Sequence, residues 1–299
     1  MKIFITGGSG FVGTNLASYL LEKGHSIIAV GTSSAHKVIQ HDEFHYISAD
    51  TTRQGGWQDA LKDVDAVINL AGKNIFKRWT DTYKDQIYNS RILTTRNLVE
   101  AIGGRKDIIF CSTSAVGYYG DRADEILKED AVPGNDFAAI VCRDWEAEAF
   151  QAEATGVRVA AMRFGVVLGK NGGALAKMVP AFKSFAGGPL GSGQQWFPWI
   201  HMDDLMAAII FILEHPDVKG PINFCSPNPV RNRDFANALG QVLSRPSAIR
   251  TPAFMIRLMM GEMGKSLMSS QRTIPDKLLK HVFTFQYPDI SDALHNLFP

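Results

Sequence analysis

Through the first half of the chain, short runs rich in β-branched and aromatic residues alternate with longer stretches of helical periodicity. Ile3 to Thr6, Ser26 to Val30, Phe44 to Ser48, Ala66 to Asn69, Ile108 to Ser112 and Val157 to Phe164 read as strands. Between them, Tyr83 to Ile102 and Phe137 to Ala154 are long enough for helices, and the first sets Ile87, Leu98 and Ile102 near helical spacing. Strand and helix in alternation is how parallel βαβ units read, so the pattern predicts an α/β fold with a doubly wound parallel sheet.

The rhythm breaks after Leu168. Gly169 to Gly173 opens a loop, and a second glycine-rich stretch, Gly187 to Gly193, follows a short helical piece. Trp199-Ile200-His201 reads as a strand, Asp203 or Asp204 as the N-cap of an apolar helix Leu205 to Glu214, and Ile222 to Phe224 as a further strand. These pieces are expected to return to the first sheet. From Asn232 onward the pattern is helical, punctuated by Pro246, Pro252, Pro275 and Pro288. The expected division is residues 1–168 plus about 198–228 for the sheet domain, and about 169–197 plus 229–299 for a smaller, mostly helical cap.

Composition narrows the partners. Among 299 residues, Lys plus Arg number 31 and Asp plus Glu 30, a formal charge of +1 that gives no single-signed field for nucleic acid or an anionic membrane. A content of 45% hydrophobic and 20% charged residues is that of an ordinary globular chain. Cys111, Cys142 and Cys225 are odd in number and widely spaced, which fits neither a disulfide framework nor a metal site and points to a reducing, cytoplasmic compartment. The start, Lys2-Ile3-Phe4-Ile5-Thr6, does not read as a secretory leader, and Ala207 to Leu213 is far short of a membrane span.

The strongest chemical signal is Thr6-Gly7-Gly8-Ser9-Gly10-Phe11-Val12-Gly13, which follows the first strand and opens an amphipathic helix. Such a loop turns tightly, lets the backbone of Gly7, Gly10, Phe11, Val12 and Gly13 approach a pyrophosphate, and aims the helix N-terminus at the anion. The plain alternative is a strand-to-helix turn that binds nothing. No Lys-Ser/Thr pair follows the glycines, so a mononucleotide P-loop is excluded. An acidic residue ending the second strand would bind the ribose diol of NAD, but this strand ends Val30-Gly31-Thr32-Ser33-Ser34 with His36 and Lys37 beyond. No carboxylate stands there to repel a 2′-phosphate, and NADP is favoured over NAD, with Thr32 and Ser33 as its contacts.

The spacing G-x-x-G-x-x-G after Thr6 resembles the short-chain dehydrogenase/reductase superfamily, and the length matches its extended, epimerase-like branch. Asn69 to Gly72, Arg78-Trp79-Thr80, Ser90-Arg91, Ser114 to Gly120, Trp145-Glu146, Gly187 to Gly193 and Trp199 to Asp204 together resemble its atypical members, called epimerase family proteins or nucleoside-diphosphate-sugar epimerases. The tail from Pro252 to Arg272 resembles the small C-terminal domain of unknown function of that family. The resemblance covers nearly the whole chain and implies a Rossmann-type, NAD(P)-binding domain with a C-terminal substrate domain. It implies Asp50 against the adenine, Leu70, Ala71, Gly72 and Ser112 along the cofactor, and Arg91 as a cofactor contact, whose alternative is a solvated helix charge. Members often carry Arg where Thr32 stands, a departure that bears on the NADP preference.

The superfamily resemblance also implies a Tyr acid/base, a Lys four residues later and a Ser after the fifth strand. Ser114 takes the Ser place. Anchored on Glu146, the Tyr position is Ala138 and the Lys position Cys142, so the pair is absent. Tyr19 and Lys23 have the spacing but lie on the first helix, by chance. The nearest replacement proton donors are Tyr118 and Tyr119, with Lys73 or Arg78 supplying charge, though tyrosines in such loops are more often packing or substrate-lining groups. Cys142 is a reactive thiol only if a cation lowers its pKa, and otherwise a small core residue. Trp196, Phe197 and Trp199 could floor a sugar or base, or be core. His201 reads as structural, and Arg163 as either a phosphate contact or a partner for a carboxylate. Two readings remain: an NAD(P)-dependent, epimerase-like oxidoreductase acting on a nucleotide-sugar or other small polar, possibly phosphate-bearing, substrate, and a non-catalytic dinucleotide-binding sensor or scaffold.

Overall fold

The computed structural model describes residues 1–36 and 38–299; Lys37, read above beside the ribose end of the second strand, lies outside them. Seven parallel strands form the main sheet: β1 (Lys2–Thr6), β2 (Ser26–Gly31), β3 (Phe44–Ser48), β4 (Ala66–Asn69), β5 (Ile109–Ala115), β6 (Arg158–Phe164) and β7 (Gly220–Phe224). Their spatial order is β7-β6-β5-β4-β1-β2-β3. The order reverses between β1 and β4, so a crevice opens at the carboxyl ends of these two strands, where open α/β sheets bind ligands.

Strand alternation sorts the core. Ile3 and Ile5 of β1 face one side, packing with Leu16 and Leu20 of α1 (Phe11–Glu22), while Phe4 faces the other, with Val67, Phe110 and Leu98. The second side is covered by α2 (Asp81–Ile102) and α3 (Phe137–Phe150). Helix α2 starts two residues before the pattern suggested, because the Thr80 hydroxyl accepts from the Tyr83 N–H and caps it. Helix α3 is capped by Asp136 and passes into a 3₁₀ turn, Gln151–Thr155. A third cluster, with Leu175, Trp199, Phe235 and Leu294, joins α4 (Leu175–Lys183), α6 (Asn232–Val242) and α10 (Ile290–Leu297).

Two expectations need correction. Ile222 to Phe224 joins the main sheet within β7, but Trp199–His201 does not; it pairs in parallel with Val166–Leu168 as a separate ribbon. Gly165 breaks the run after β6, where a Cβ would lie 3.1 Å from the Pro198 carbonyl, and the chain leaves the sheet plane. Helix α5 (Met202–Glu214) begins at Met202, and its N-cap is His201, whose Nδ1 accepts from the Asp203 N–H at 3.2 Å. Asp204 instead turns inward, and its carboxylate accepts from the N–H groups of Gln286 and Tyr287, pinning the C-terminal segment to α5. His201 is buried against Tyr287, in keeping with a structural residue.

The C-terminal part places α7 (Ala253–Met260) and α8 (Glu262–Leu267) back to back around Gly261, then α9 (Asp276–Lys280) beside β7. Among the described residues no helix is long and apolar enough to cross a membrane, and no group of His, Cys, Asp or Glu is arranged to hold a metal.

Candidate active site

The glycine loop is built by close approach. Gly7 has φ +67°, and a Cβ there would lie 2.7 Å from the Leu70 carbonyl oxygen, so only glycine lets the first turn touch the loop after β4. A Cβ on Gly13 would lie 2.3 Å from the Gly7 carbonyl, so α1 can start against the turn only without one. Gly10 differs: its Cβ direction meets nothing nearer than the Gly7 oxygen at 3.1 Å, which leaves that face open to a bound group. Gly10 is also the N-cap of α1, with no side-chain cap and no acid in the first turn. The first N–H groups of the helix, those of Phe11, Val12 and Gly13, therefore remain for an anion. The Phe11 ring itself turns away and packs on Gly169, Gly172 and Gly173. A pyrophosphate fits this cradle on geometry alone.

Around the loop, the other expected cofactor residues fall into two sets. Thr32 and Ser33 are exposed beyond β2; the Ser33 hydroxyl donates to Ser9 at 3.4 Å, and the Tyr46 hydroxyl donates to the Ser33 carbonyl. Asp50 lies exposed after β3, its carboxylate accepting from Thr52. Leu70 and Ala71 border the loop directly, and Gly72 lies against the Arg91 guanidinium. Ser112 is different: it is buried, and its hydroxyl accepts from Asn69, which also accepts from Thr6 and donates to Thr95. This polar ladder locks the ends of β1, β4 and β5 from below, so Ser112 positions the crevice floor and does not reach into it.

Arg91 is not the solvated charge of the alternative reading. Its guanidinium donates to the carbonyls of Lys73 and Ile87 and lies 5.1 Å from the Trp145 ring. The side chain as a whole is half-buried, but the guanidinium sits in the packed seam of α2 and α3, and loss of hydration pulls its pKa down to about 10. It is still a cation at neutral pH.

Ser114 reaches a network that was invisible in the sequence. Its hydroxyl donates to Glu146 Oε1 at 2.6 Å, and Glu146 binds Arg163 in a two-point pair at 2.7 and 2.8 Å. Arg163 also donates to the Tyr119 hydroxyl and the Glu129 carbonyl, and its guanidinium lies 3.6 Å from the Tyr118 ring centre. Burial works against this charge, but the Glu146 carboxylate outweighs it and holds the Arg163 pKa above the usual range. Arg163 thus pairs with a carboxylate, one of the two uses the sequence left open.

Tyr119 must be corrected as a proton donor. It is fully buried, and its hydroxyl donates to Asn223 at 2.7 Å while accepting from Arg163. Burial drives its pKa upward despite the neighbouring cation, so it stays a neutral core phenol. Tyr118 stays half-buried beside it, in edge contact with its ring. Cys142 is a buried thiol whose pKa burial pushes up to about 12, which is inert chemistry. Lys73 and Arg78 lie on the exposed loop before α2, and Lys23 of the chance Tyr19 pair lies over the Tyr19 ring on α1.

A cavity of about 540 Å³ opens beside this network. Its walls come from the loop after Tyr119, the start of α3 at Phe137 and Ala138, Trp79, and Glu262 and Lys265 of α8. Ala138, the position without its tyrosine, therefore borders open space. Helix α8 is tied across the cavity by an ion pair between Glu262 and Lys84. A second recess of about 450 Å³ adjoins at Asp121 and is lined by Gly191, Ser192, Arg231 and Arg257. Of the three aromatic residues before α5, Trp199 is core and Phe197 packs on Phe235, while Trp196 lies between Arg231 and Arg272 at the recess. The α8 residues gave no signal in sequence, because the fold alone brings them to the start of α3.

Residues 3–225 match the NAD dependent epimerase/dehydratase family, and the chain belongs to it. Residues 251–297 match a domain of unknown function, DUF1731. The epimerase family protein SDR39U1 homolog, chloroplastic, of Arabidopsis thaliana is 40% identical over 300 residues, 98% of this chain and 86% of the relative. The epimerase family protein YfhF of Bacillus subtilis is 35% identical across 99% of this chain and 98% of its own. Among solved structures, human epimerase family protein SDR39U1 (isoform2) with NADPH superposes with a TM-score of 0.87 at 30% identity, covering 99% of each chain.

Proposed function

We propose that the protein binds NADPH in the crevice between β1 and β4 and acts as an epimerase-like oxidoreductase on a nucleotide-sugar or other small polar substrate in the cavity beside Ala138. The observation that carries this reading is the glycine cradle, in which Gly7 and Gly13 are demanded by contact and Gly10 faces open space above an uncapped helix. Gly7, Gly10 and the N–H groups of Phe11, Val12 and Gly13 would hold the pyrophosphate. Thr32 and Ser33 would face the adenosine ribose, Asp50 the adenine, and Leu70 to Gly72 the middle of the cofactor. A human relative at 30% identity that was solved with NADPH supports the choice of the phosphorylated form, as does the want of a carboxylate at Thr32. The cofactor, when bound, supplies or accepts a hydride.

The chain's own contribution differs from a Tyr-Lys mechanism. The single proton of Ser114 is committed to Glu146 and the residue is buried, so Ser114 would fix the Glu146 carboxylate beneath the cavity and not itself meet the substrate. Tyr118, on the same loop and against the Arg163 cation, is the remaining phenol for proton transfer. The charged and hydroxyl groups of the cavity suit a polar substrate, and Lys265, Arg231 and Arg257 suit phosphate oxygens. The three free, buried cysteines support a cytoplasmic, reducing setting.

The sensor or scaffold reading keeps one specific support: Ala138 and Cys142 replace the pair, and Tyr119 is locked in the core. The two are separated by incubating the protein with NADPH or NADP and a panel of nucleoside-diphosphate sugars and small carbonyl compounds, following cofactor absorbance and sugar isomers. Turnover with at least one compound, reduced in Tyr118→Phe, is expected. Saturable cofactor binding with neither redox change nor isomerisation across the panel would favour the sensor.

A further inference from the structure

Helix α7 is apolar at every position but Arg257, yet it buries only Ile256, while Phe254, Met255, Leu258 and Met259 are exposed. Its packing partner is α8: a Cβ on Gly264 would lie 2.7 Å from the Ile256 carbonyl oxygen, and Gly261 turns the chain between the two helices at φ +61°. The buried apolar side chains of this hairpin, Ile256 and Met263, belong neither to the clusters on the two faces of the main sheet nor to the layer of α4, α6 and α10. The hairpin therefore adds little to the core that holds the rest of the fold.

Its two ends are firmly anchored. The Thr251 N–H donates to the Pro189 carbonyl, and the Thr251 carbonyl accepts from the Gly191 N–H. At the other end the Ser270 carbonyl accepts from the Arg122 N–H, while its hydroxyl donates to the Ala123 carbonyl and accepts from the Trp196 N–H. Between these anchors, among the described residues, the hydrogen bonds of residues 252–269 stay within the segment. Its one polar tie to the rest of the chain is the ion pair of Glu262 with Lys84, near the start of α2. A segment with few buried apolar contacts and its hydrogen bonds closed on itself opens as a unit at low cost.

The place of the hairpin gives such opening a use. Glu262, Lys265, Ser266 and Ser269 form one wall of the cavity beside Ala138, and Ala253, Arg257 and Met268 line the adjoining recess. Lys84 also lies 5.1 Å from the Phe137 ring centre, and Trp79 packs edge-on against the same ring. The tie thus joins the hairpin to the opposite rim of the cavity. We infer that residues 252–269 are a lid over the substrate cavity, hinged at Thr251 and Ser270, and that the Lys84–Glu262 ion pair is the latch that holds it shut. The inference rests on the reading of that cavity as the substrate site. Hydride chemistry there must admit a substrate and then exclude water, and a lid does both.

The test needs no substrate. Ala138→Cys places a thiol on the cavity wall of a chain whose native cysteines are all buried, and its rate of alkylation by iodoacetamide, followed by mass spectrometry, reads access to the cavity. In that background Glu262→Gln is expected to speed alkylation by about 2- to 5-fold, the range for a partly exposed ion pair. Lys84→Met should do at least as much, and Lys84→Met/Glu262→Gln no more than Lys84→Met alone, because one latch breaks once. Salt at about 1 M, where the screening length is about 3 Å, should bring the parent towards Glu262→Gln and leave that variant nearly unchanged. Thermal unfolding on each variant separates the lid from general loosening, which would make alkylation follow the unfolding temperature. Equal rates in the parent and a folded Glu262→Gln, or additive effects of the two changes, would overturn the lid and leave the substrate reading of the cavity intact. Alkylation as expected, with no turnover of any compound in the substrate panel, would keep the lid and remove that reading.

Discussion

Glu146→Ala is expected to lower the free energy of unfolding by about 3–5 kcal/mol, measured by isothermal denaturation, because it strands a buried cation. Arg163 is 2% exposed and Glu146 5% exposed, so water cannot replace the lost carboxylate. Domains of this kind are stable by only about 5–15 kcal/mol, so the loss is a large share of the total. The effect should be specific to the charge. Arg163→Met alone also destabilises, but combined with Glu146→Met it should cost less than the sum of the two, with a coupling above about 1 kcal/mol. Additive costs would mean that Arg163 and Glu146 do not stabilise one another. Ser114→Ala removes only the third member and should cost about 1.5–3 kcal/mol, the worth of a hydrogen bond to a charged acceptor.

Gly10→Ala should separate binding from folding. The new methyl meets only the Gly7 carbonyl at 3.1 Å, and Gly10 already has φ −80°, which alanine adopts freely. The 3.1 Å contact needs a shift of the Gly7 carbonyl, so unfolding should fall far less than in Gly13→Ala, while NADPH affinity falls by about 100-fold, equivalent to about 2.7 kcal/mol of lost binding, because the methyl occupies the face left for the pyrophosphate. Gly13→Ala should lose both properties, since its Cβ would stand 2.3 Å from backbone that cannot move aside without displacing α1. Equal affinity for NADPH in wild type and Gly10→Ala would place the anion elsewhere.

The features legible in the chain were the local ones. Glycines at 7, 10 and 13 follow a strand and open a helix; Gly7 and Gly13 are needed for contacts within a few residues or with the next loop, and Gly10 leaves a face open. Strands β1, β2 and β4 to β6 announced themselves because both faces of a parallel sheet are covered and their residues are largely apolar in runs, while the edge strand β3 was marked by its aromatic and β-branched residues. What stayed hidden depends on pairing across long intervals. Nothing near Ser114 shows that its hydroxyl will donate to Glu146, and nothing near Arg163 shows that it will donate to the Tyr119 hydroxyl, which in turn donates to Asn223. A buried Arg needs an acid, which was a usable signal, and Glu146 on an otherwise apolar helix face was the candidate. The three residues of Trp199–His201 are too few to declare a partner, so their exit from the main sheet at Gly165 required the fold. The cap of α5 was misassigned because two aspartates followed a histidine whose ring nitrogen does the same work.

The central claim is that this chain holds an NADP-type dinucleotide at the β1–β4 crevice. Calorimetric titration of NADPH and NADH into the wild-type protein at equal ionic strength tests it most directly. The account predicts saturable binding of NADPH to one site per chain, tighter than NADH; NADH binding more tightly would contradict the cofactor assignment, and failure of both to bind would contradict the site.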